Sequence, residues 1–201
     1  MHVLEVKNLI RNYQKSAQKK SGEDIKVLKG LNFAVDEGEF VGIMGKSGCG
    51  KTTLLKVLGM IDKQTDGEVF FMEQNTTDLY GDKLADIRRT QIGFIFQDFY
   101  LMDSLTVEEN ICICDVPLKG IFTDKKRIKE KSLEILEVMK LENIATKKVE
   151  DLAPNQQYMV ELAKALVQEP KLLIIDEITS ALYREDVEIV DDIIKDLKKK
   201  G

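Results

Sequence analysis

The chain has 201 residues, 43% of them apolar and 32% charged, with only three prolines and thirteen glycines. That length usually makes one domain with a sizeable core, and the composition excludes a fibrous or disordered chain. A net charge of −5 supplies no general field for DNA or RNA, and no stretch approaches eighteen consecutive apolar residues, so no membrane-spanning helix is expected. Met1 to Val6 shows no basic segment followed by a long apolar core, so no secretory signal is read and a cytosolic location is expected. Cys49, Cys112 and Cys114 complete no zinc-type spacing and read as reduced thiols.

In chain order, Leu31, Phe33 and Val35 alternate with Asn32 and Ala34, the pattern of a half-covered strand. Phe40 to Met44 predicts a strand, and Thr53 to Leu58 a helix. Ile92 to Phe96 predicts a second strand, and Thr106 with Glu109 a capping box that opens a further helix. Helical spacing follows at Ile128, Leu133, Leu136 and Met139, then at Met159, Leu162, Ala163 and Leu166, with each stripe read as core packing. Leu172 to Ile175 is continuously apolar, as expected of a strand covered on both faces. Val187, Val190, Ile194 and Leu197 close the series as a last helix. Gln14 to Asp24 reads as an exposed loop, and His2 as a solvent-side strand residue. Short apolar blocks alternating with helices predict an α/β fold with a buried parallel sheet and a smaller antiparallel one. No internal repeat or low-complexity linker is present, so residues 1–201 are expected to form one domain.

The strongest motif is Gly45-Lys46-Ser47-Gly48-Cys49-Gly50-Lys51-Thr52, which fits G-x-x-x-x-G-K-[ST] between a predicted strand and a predicted helix. Glycines let backbone N–H groups turn toward phosphate oxygens, and the helix N-terminus adds the positive end of its dipole. Lys51 is placed to reach β and γ phosphates and Thr52 to ligate magnesium. Downstream, the apolar run Leu172 to Ile175 ends in Asp176 and Glu177. Asp176 is placed to hold the magnesium shell, and Glu177 to polarise an attacking water.

With these motifs in hand, almost the whole chain resembles the ATP-binding cassette (ABC) ATPases. Gly45 to Thr53 matches that family's Walker A motif, so Gly45, Ser47, Gly48, Cys49, Gly50, Lys51, Thr52 and Thr53 are the implied nucleotide-binding residues. Tyr13 stands where the family stacks an aromatic ring on adenine. Gln97, after Ile92 to Phe96, matches the Q-loop, and Asp176-Glu177 matches Walker B. The resemblance therefore implies Lys51, Gln97 and Glu177 as catalytic residues, Thr52, Gln97 and Asp176 as metal ligands, and ATP with Mg2+ as the bound species. Leu58 to Asp62, Thr65 to Val69 and Ser104 to Ile111 look most like the lipoprotein-release, macrolide-export and bacitracin-resistance group.

The family likeness implies a P-loop NTPase fold: a RecA-like parallel-sheet core, an antiparallel β subdomain and an inserted α-helical subdomain at about 98–168. It also implies a homodimer, or a heterodimer with another ABC ATPase, with ATP sandwiched between subunits. The partner would be a separate membrane permease, and the location peripheral on the inner face of the plasma membrane. Three departures stand out. Leu152-Ala153-Pro154-Asn155-Gln156 replaces the family's LSGGQ signature, removing a hydroxyl and an N–H and adding side-chain bulk. Tyr183 replaces the D-loop aspartate, with Ile178 in place of a proline. The switch histidine has no counterpart before Gly201. The expected function is a transporter ATPase subunit whose hydrolysis is impaired by these changes. The alternative is a nucleotide-binding regulatory subunit that pairs with an intact cassette.

Overall fold

Alternation of apolar and polar residues at the amino end produces a four-stranded antiparallel sheet in the computed structural model. The structure describes residues 1–14, 24–96, 100–113, 125–176 and 182–200, with backbone alone at 125–128 and 197–200. Strands β1 (His2–Tyr13), β2 (Ile25–Asp36), β3 (Asp66–Phe71) and β4 (Gln74–Asn75) lie in the order β2-β1-β3-β4. β1 pairs antiparallel with both β2 and β3, through Val6↔Phe33 and Val6↔Val69 respectively. Val3, Leu4, Val6 and Leu9 of β1 and Val69 and Phe71 of β3 are buried, as are Leu54, Val57 and Leu58 of helix α1 (Lys51–Leu58). β2 is half-buried on alternate residues from Leu31 to Asp36, the half-covered pattern expected from its sequence. His2 is exposed on β1, its Nδ1 2.7 Å from Asp36 Oδ1.

β1 is not a regular ladder. Its registers with β2 and β3 shift around Asn8, whose φ is 49°. Gly67 crosses this kink with φ 85°, and a Cβ there would meet the backbone of Lys7 and Asn8. No larger residue fits so close an approach.

The chain groups into two compact units. One is Met1–Arg88 with the end of the chain from Leu197, and the other is Arg89–Asp196. Helix α2 (Asp82–Gln91) runs across the boundary between them. In the second unit, β5 (Ile92–Ile95) and β6 (Leu172–Ile175) pair in parallel, Ile92↔Leu172 through Ile95↔Ile175. Around them stand α3 (Val107–Cys112), α4 (Lys125–Val138), α5 (Pro154–Leu166) and α6 (Arg184–Lys200). Ile95, Val107, Ile111, Leu136, Met139, Met159, Leu162 and Val190 belong to one buried cluster.

The predicted capping box is formed in full: Thr106 Oγ1 accepts from Glu109 N at 3.2 Å, and Glu109 Oε2 accepts from Thr106 N at 2.8 Å. The Thr106 N–H, and then its hydroxyl donating to Glu109 Oε2 at 3.0 Å, hold the Glu109 carboxyl below its ordinary value. All four residues of the stripe Met159, Leu162, Ala163 and Leu166 are buried. Among the described residues, no helix is long and apolar enough to cross a membrane.

Two expectations are corrected. Phe40 to Met44 forms no strand, and Phe40, Val41, Ile43 and Met44 are exposed. Apolar character marks a segment fit for a sheet, but a strand exists only through its ladder bonds, and this run pairs with no described strand. Leu133 on α4 and Val187 on α6 also lie exposed, whereas Ser132 is fully buried. Along α4 the buried face is thus Ser132, Leu136 and, just past its end, Met139, at i, i+4 and i+7, and Ser132 Oγ lies 3.1 Å from Cys112 Sγ. Most of the predicted loop at 14–24, and Cys114, lie outside the described residues.

The buried polar residue that organises α3 is Asn110, with no exposed surface. Its Oδ1 accepts from Met102 N at 2.7 Å, and its Nδ2 donates to Met102 O and Thr106 O, both at 3.0 Å. The loop before α3 is thereby closed onto the helix. Asn110→Ala is expected to lower stability by about 2–4 kcal/mol, because a fully buried side chain is cut away and three part-buried main-chain bonds are lost together. Urea unfolding checks this, and a loss below about 0.5 kcal/mol would contradict it.

Candidate nucleotide site

The loop Gly45–Thr52 turns on two left-handed glycines. Gly48 has φ 75° and Gly50 φ 103°, and Gly50 is the N-cap of α1. A Cβ on Gly50 would press on Val27 Cγ1 of β2 at 2.8 Å, so the sheet itself demands glycine there. No side chain caps α1 and no acid stands in its first turn. The first N–H groups of the helix, from Lys51 onward, have no intrahelical acceptor and meet the positive end of the dipole. An anion is the natural partner for that end.

Lys51 folds back over the loop, its Nζ donating to Gly45 O at 3.0 Å and Lys46 O at 3.2 Å. The Lys46 carbonyl also accepts from Cys49 N at 3.3 Å, which closes the turn. Ser47, Gly48, Cys49 and Thr52 are exposed, and Thr53 is half-buried. Tyr13, the last residue of β1, donates its hydroxyl to Asp62 Oδ2 at 2.7 Å.

In the second unit, Asp176 follows β6, donates its N–H to Ile95 O at 2.9 Å, and is only 6% exposed. A carboxylate so buried is costly unless a cation or donors face it. The phosphate loop and Asp176 belong to different units, and each is described within its own. Gln97 and Glu177 lie outside the described residues, as do Ile178, Ser180 and Ala181.

The departures at the signature are visible as bonds. Pro154 is the first residue of α5, where its missing N–H leaves no helical bond unmade. Gln156 turns back so that its Oε1 accepts from Ala153 N at 3.2 Å. Asn155 Nδ2 donates to Asp186 Oδ2 at 3.0 Å, and the same oxygen accepts from Tyr183 N at 3.1 Å. The side chains of Asn155 and Gln156 are thus both engaged inside the chain, the former tied to the start of α6.

Sequence reading missed a second feature of α5. Glu161 is 4% exposed, and burial pushes its carboxyl above its ordinary value of 4.5, opposed by Lys164 and a bond from the Tyr100 backbone. Lys164 Nζ sits 3.9 Å away and donates to Tyr100 O at 2.6 Å. A carboxyl with a raised folded pKa binds its proton more tightly folded than unfolded. It therefore adds no penalty at low pH and lowers stability as pH climbs past the ordinary value through the folded one. Glu161→Gln is expected to remove that fall, so in urea titrations the variant gains on the parent as pH rises above the ordinary carboxyl value of 4.5. Parallel curves would contradict it.

The loop Gly45–Thr52 carries the P-loop sequence pattern at the start of α1, without the strand expected before it. The ABC transporter family model matches residues 28–180. The chain is 38% identical over 204 residues to an uncharacterised ABC transporter ATP-binding protein of Methanocaldococcus jannaschii, MJ0796, covering 98% of this chain and 83% of that one. It is 37% identical to the bacitracin export ATP-binding protein BceA of Halalkalibacterium halodurans, over 90% of this chain and 69% of that one. A dimeric structure of the cassette MJ0796 in a post-hydrolysis state, bound to ADP and Pi, superposes with a TM-score of 0.87 at 36% identity, covering 98% of this chain and 83% of that one. The chain belongs to the ABC transporter family, as an ATP-binding cassette of the ATPase class.

Proposed function

We propose that the chain binds Mg-ATP through Gly45–Thr52, pairs with a second cassette, and couples ATP binding and hydrolysis to a separate membrane permease. The observation that carries this reading is the uncapped start of α1 with Lys51 folded over its loop. On binding, Lys51 leaves the Gly45 and Lys46 carbonyls for the β and γ phosphates, while backbone N–H groups from Ser47 to Thr53 receive the phosphate oxygens. Tyr13 stacks on adenine.

The donors available suit magnesium, which prefers hard oxygen ligands and keeps several from water and phosphate. Thr52 offers a hydroxyl and Asp176 a buried carboxylate, with Gln97 completing the set. Magnesium would neutralise charge on the β and γ phosphates. Glu177 orients the attacking water and takes its proton.

The dimeric state of the MJ0796 cassette supports pairing, either with a second copy or with another ABC ATPase. Relatives named for export, of bacitracin and of macrolides, and one named for import, of phosphonates in Oceanobacillus iheyensis at 37% identity over 97% of this chain and 75% of that one, support a role in transport. These relatives favour a transporter subunit over a regulatory one. In such a dimer, Ala153, Pro154 and Asn155 offer the partner's γ phosphate fewer donors, and hydrolysis by the homodimer is slow.

The test is sedimentation velocity on Glu177→Gln, with and without saturating Mg-ATP. A nucleotide-dependent shift from monomer to dimer, abolished by adding Lys51→Ala, is expected. A sedimentation coefficient unchanged by ATP would contradict the pairing.

A further inference from the structure

The strand end that carries Tyr13 is braced by a cluster whose chemistry the phosphate loop does not use. Arg11, two residues earlier on β1, makes a two-pronged ion pair with Asp62: Nε donates to Oδ2 at 3.1 Å and Nη2 to Oδ1 at 2.8 Å. The Arg11 guanidinium also lies 4.3 Å from the centre of the Tyr13 ring. The Tyr13 hydroxyl donates to the same Asp62 at 2.7 Å. The ring is thus pinned at its tip and covered on one face. Tyr13 as a whole is half-buried.

Asp62 is itself anchored. Its N–H donates to Lys56 O at 3.1 Å, and its Oδ1 accepts from Lys63 N at 2.8 Å. It sits four residues beyond the end of α1, the helix that begins at the phosphate loop. The Arg11 and Asp62 side chains are 21% and 25% exposed, so the pair is shielded on most sides. Two-pronged arginine–carboxylate pairs with this shielding hold geometry far better than open surface pairs.

We propose that Arg11 and Asp62 are positioning residues for the nucleobase. They hold the Tyr13 ring rigid, so that a purine stacks on the face opposite Arg11 while Arg11 backs the other. A tyrosine at a strand end otherwise loses side-chain freedom when a base stacks on it, and fixing it beforehand removes that cost from binding. The guanidinium behind the ring adds a cation–π contact that persists in the stack. The inference rests on the reading that Tyr13 meets adenine.

Calorimetry on the full chain, comparing Mg-ATP with magnesium tripolyphosphate, separates base from phosphate. Tyr13→Ala is expected to weaken ATP about tenfold and Asp62→Ala about fivefold, both leaving tripolyphosphate unchanged, since stacking contributions of this kind amount to that ratio. Tyr13→Phe, which deletes only the hydroxyl bond to Asp62, is expected to cost about twofold and serves if Asp62→Ala fails to fold. In a Tyr13→Ala background, Asp62→Ala is expected to have no further effect. Should Tyr13→Ala weaken ATP while Asp62→Ala and Tyr13→Phe do not, the positioning role is overturned and the adenine reading survives. An equal loss for both ligands in Asp62→Ala, or a loss that persists without the Tyr13 ring, shows a general structural role and also overturns it. ATP binding untouched by Tyr13→Ala overturns the adenine reading and the inference with it.

Discussion

Lys51→Ala is expected to weaken ATP binding by about a hundredfold or more while leaving the urea midpoint nearly unchanged. The two carbonyl contacts made by Lys51 lie at an exposed loop, where their loss is compensated by water. Against phosphate the same ammonium donates charge-assisted bonds from within the cradle, and such bonds are about twice as strong as neutral ones. The two effects therefore separate cleanly. Calorimetry with Mg-ATP reads the first and urea unfolding the second. Binding within threefold of the parent would contradict the assignment of the loop as the phosphate site.

The other large effect is expected at the start of α5. Ala153→Ser, Pro154→Gly and Asn155→Gly made together are expected to raise turnover of the homodimer about a hundredfold, because one preorganised donor to a transition state is worth roughly that much. Opposing terms act on stability. Pro154 suits the first position of a helix, and Asn155 donates to Asp186 at 3.0 Å. The triple variant loses both, while a hydroxyl at position 153 can cap the helix in the manner of Thr106. Steady-state turnover measured alongside urea unfolding distinguishes a catalytic gain from a change in folded fraction. Unchanged turnover in a folded variant would contradict the view that these three residues limit hydrolysis.

The elements that could be read from sequence are those whose signals are local. The capping box at Thr106 and Glu109 consists of two side chains three residues apart, and it formed as read. α6 runs Arg184–Lys200, the span its polar and apolar spacing marks. β6 covers Leu172–Ile175, where four consecutive apolar residues left little choice.

What escaped sequence reading depends on partners far along the chain. Phe40 to Met44 carries the apolarity of a strand, but ladder bonds come from another segment and cannot be seen in five residues. Ser132 is buried in place of Leu133 because it shares a helical face with Leu136 and Met139, and its hydroxyl lies 3.1 Å from Cys112 Sγ, 20 residues away. The Arg11–Asp62 pair joins residues 51 apart, and Asn110 works on main-chain atoms that carry no sequence signal. The motif Gly45–Thr52 could be read because its glycines, lysine and threonine occupy eight adjacent positions, and the left-handed backbone at Gly48 and Gly50 is local to it. Tyr13 was marked by resemblance, yet its bracing by Arg11 and Asp62 emerged only from the fold.

The most direct test of the account is steady-state ATP turnover by the purified chain at high concentration, with Mg-ATP binding established beforehand and Glu177→Gln as control. The account predicts slow hydrolysis that disappears in the control while Mg-ATP binding remains. Hydrolysis equal in the parent and in Glu177→Gln, or a chain that fails to bind Mg-ATP at all, would contradict it.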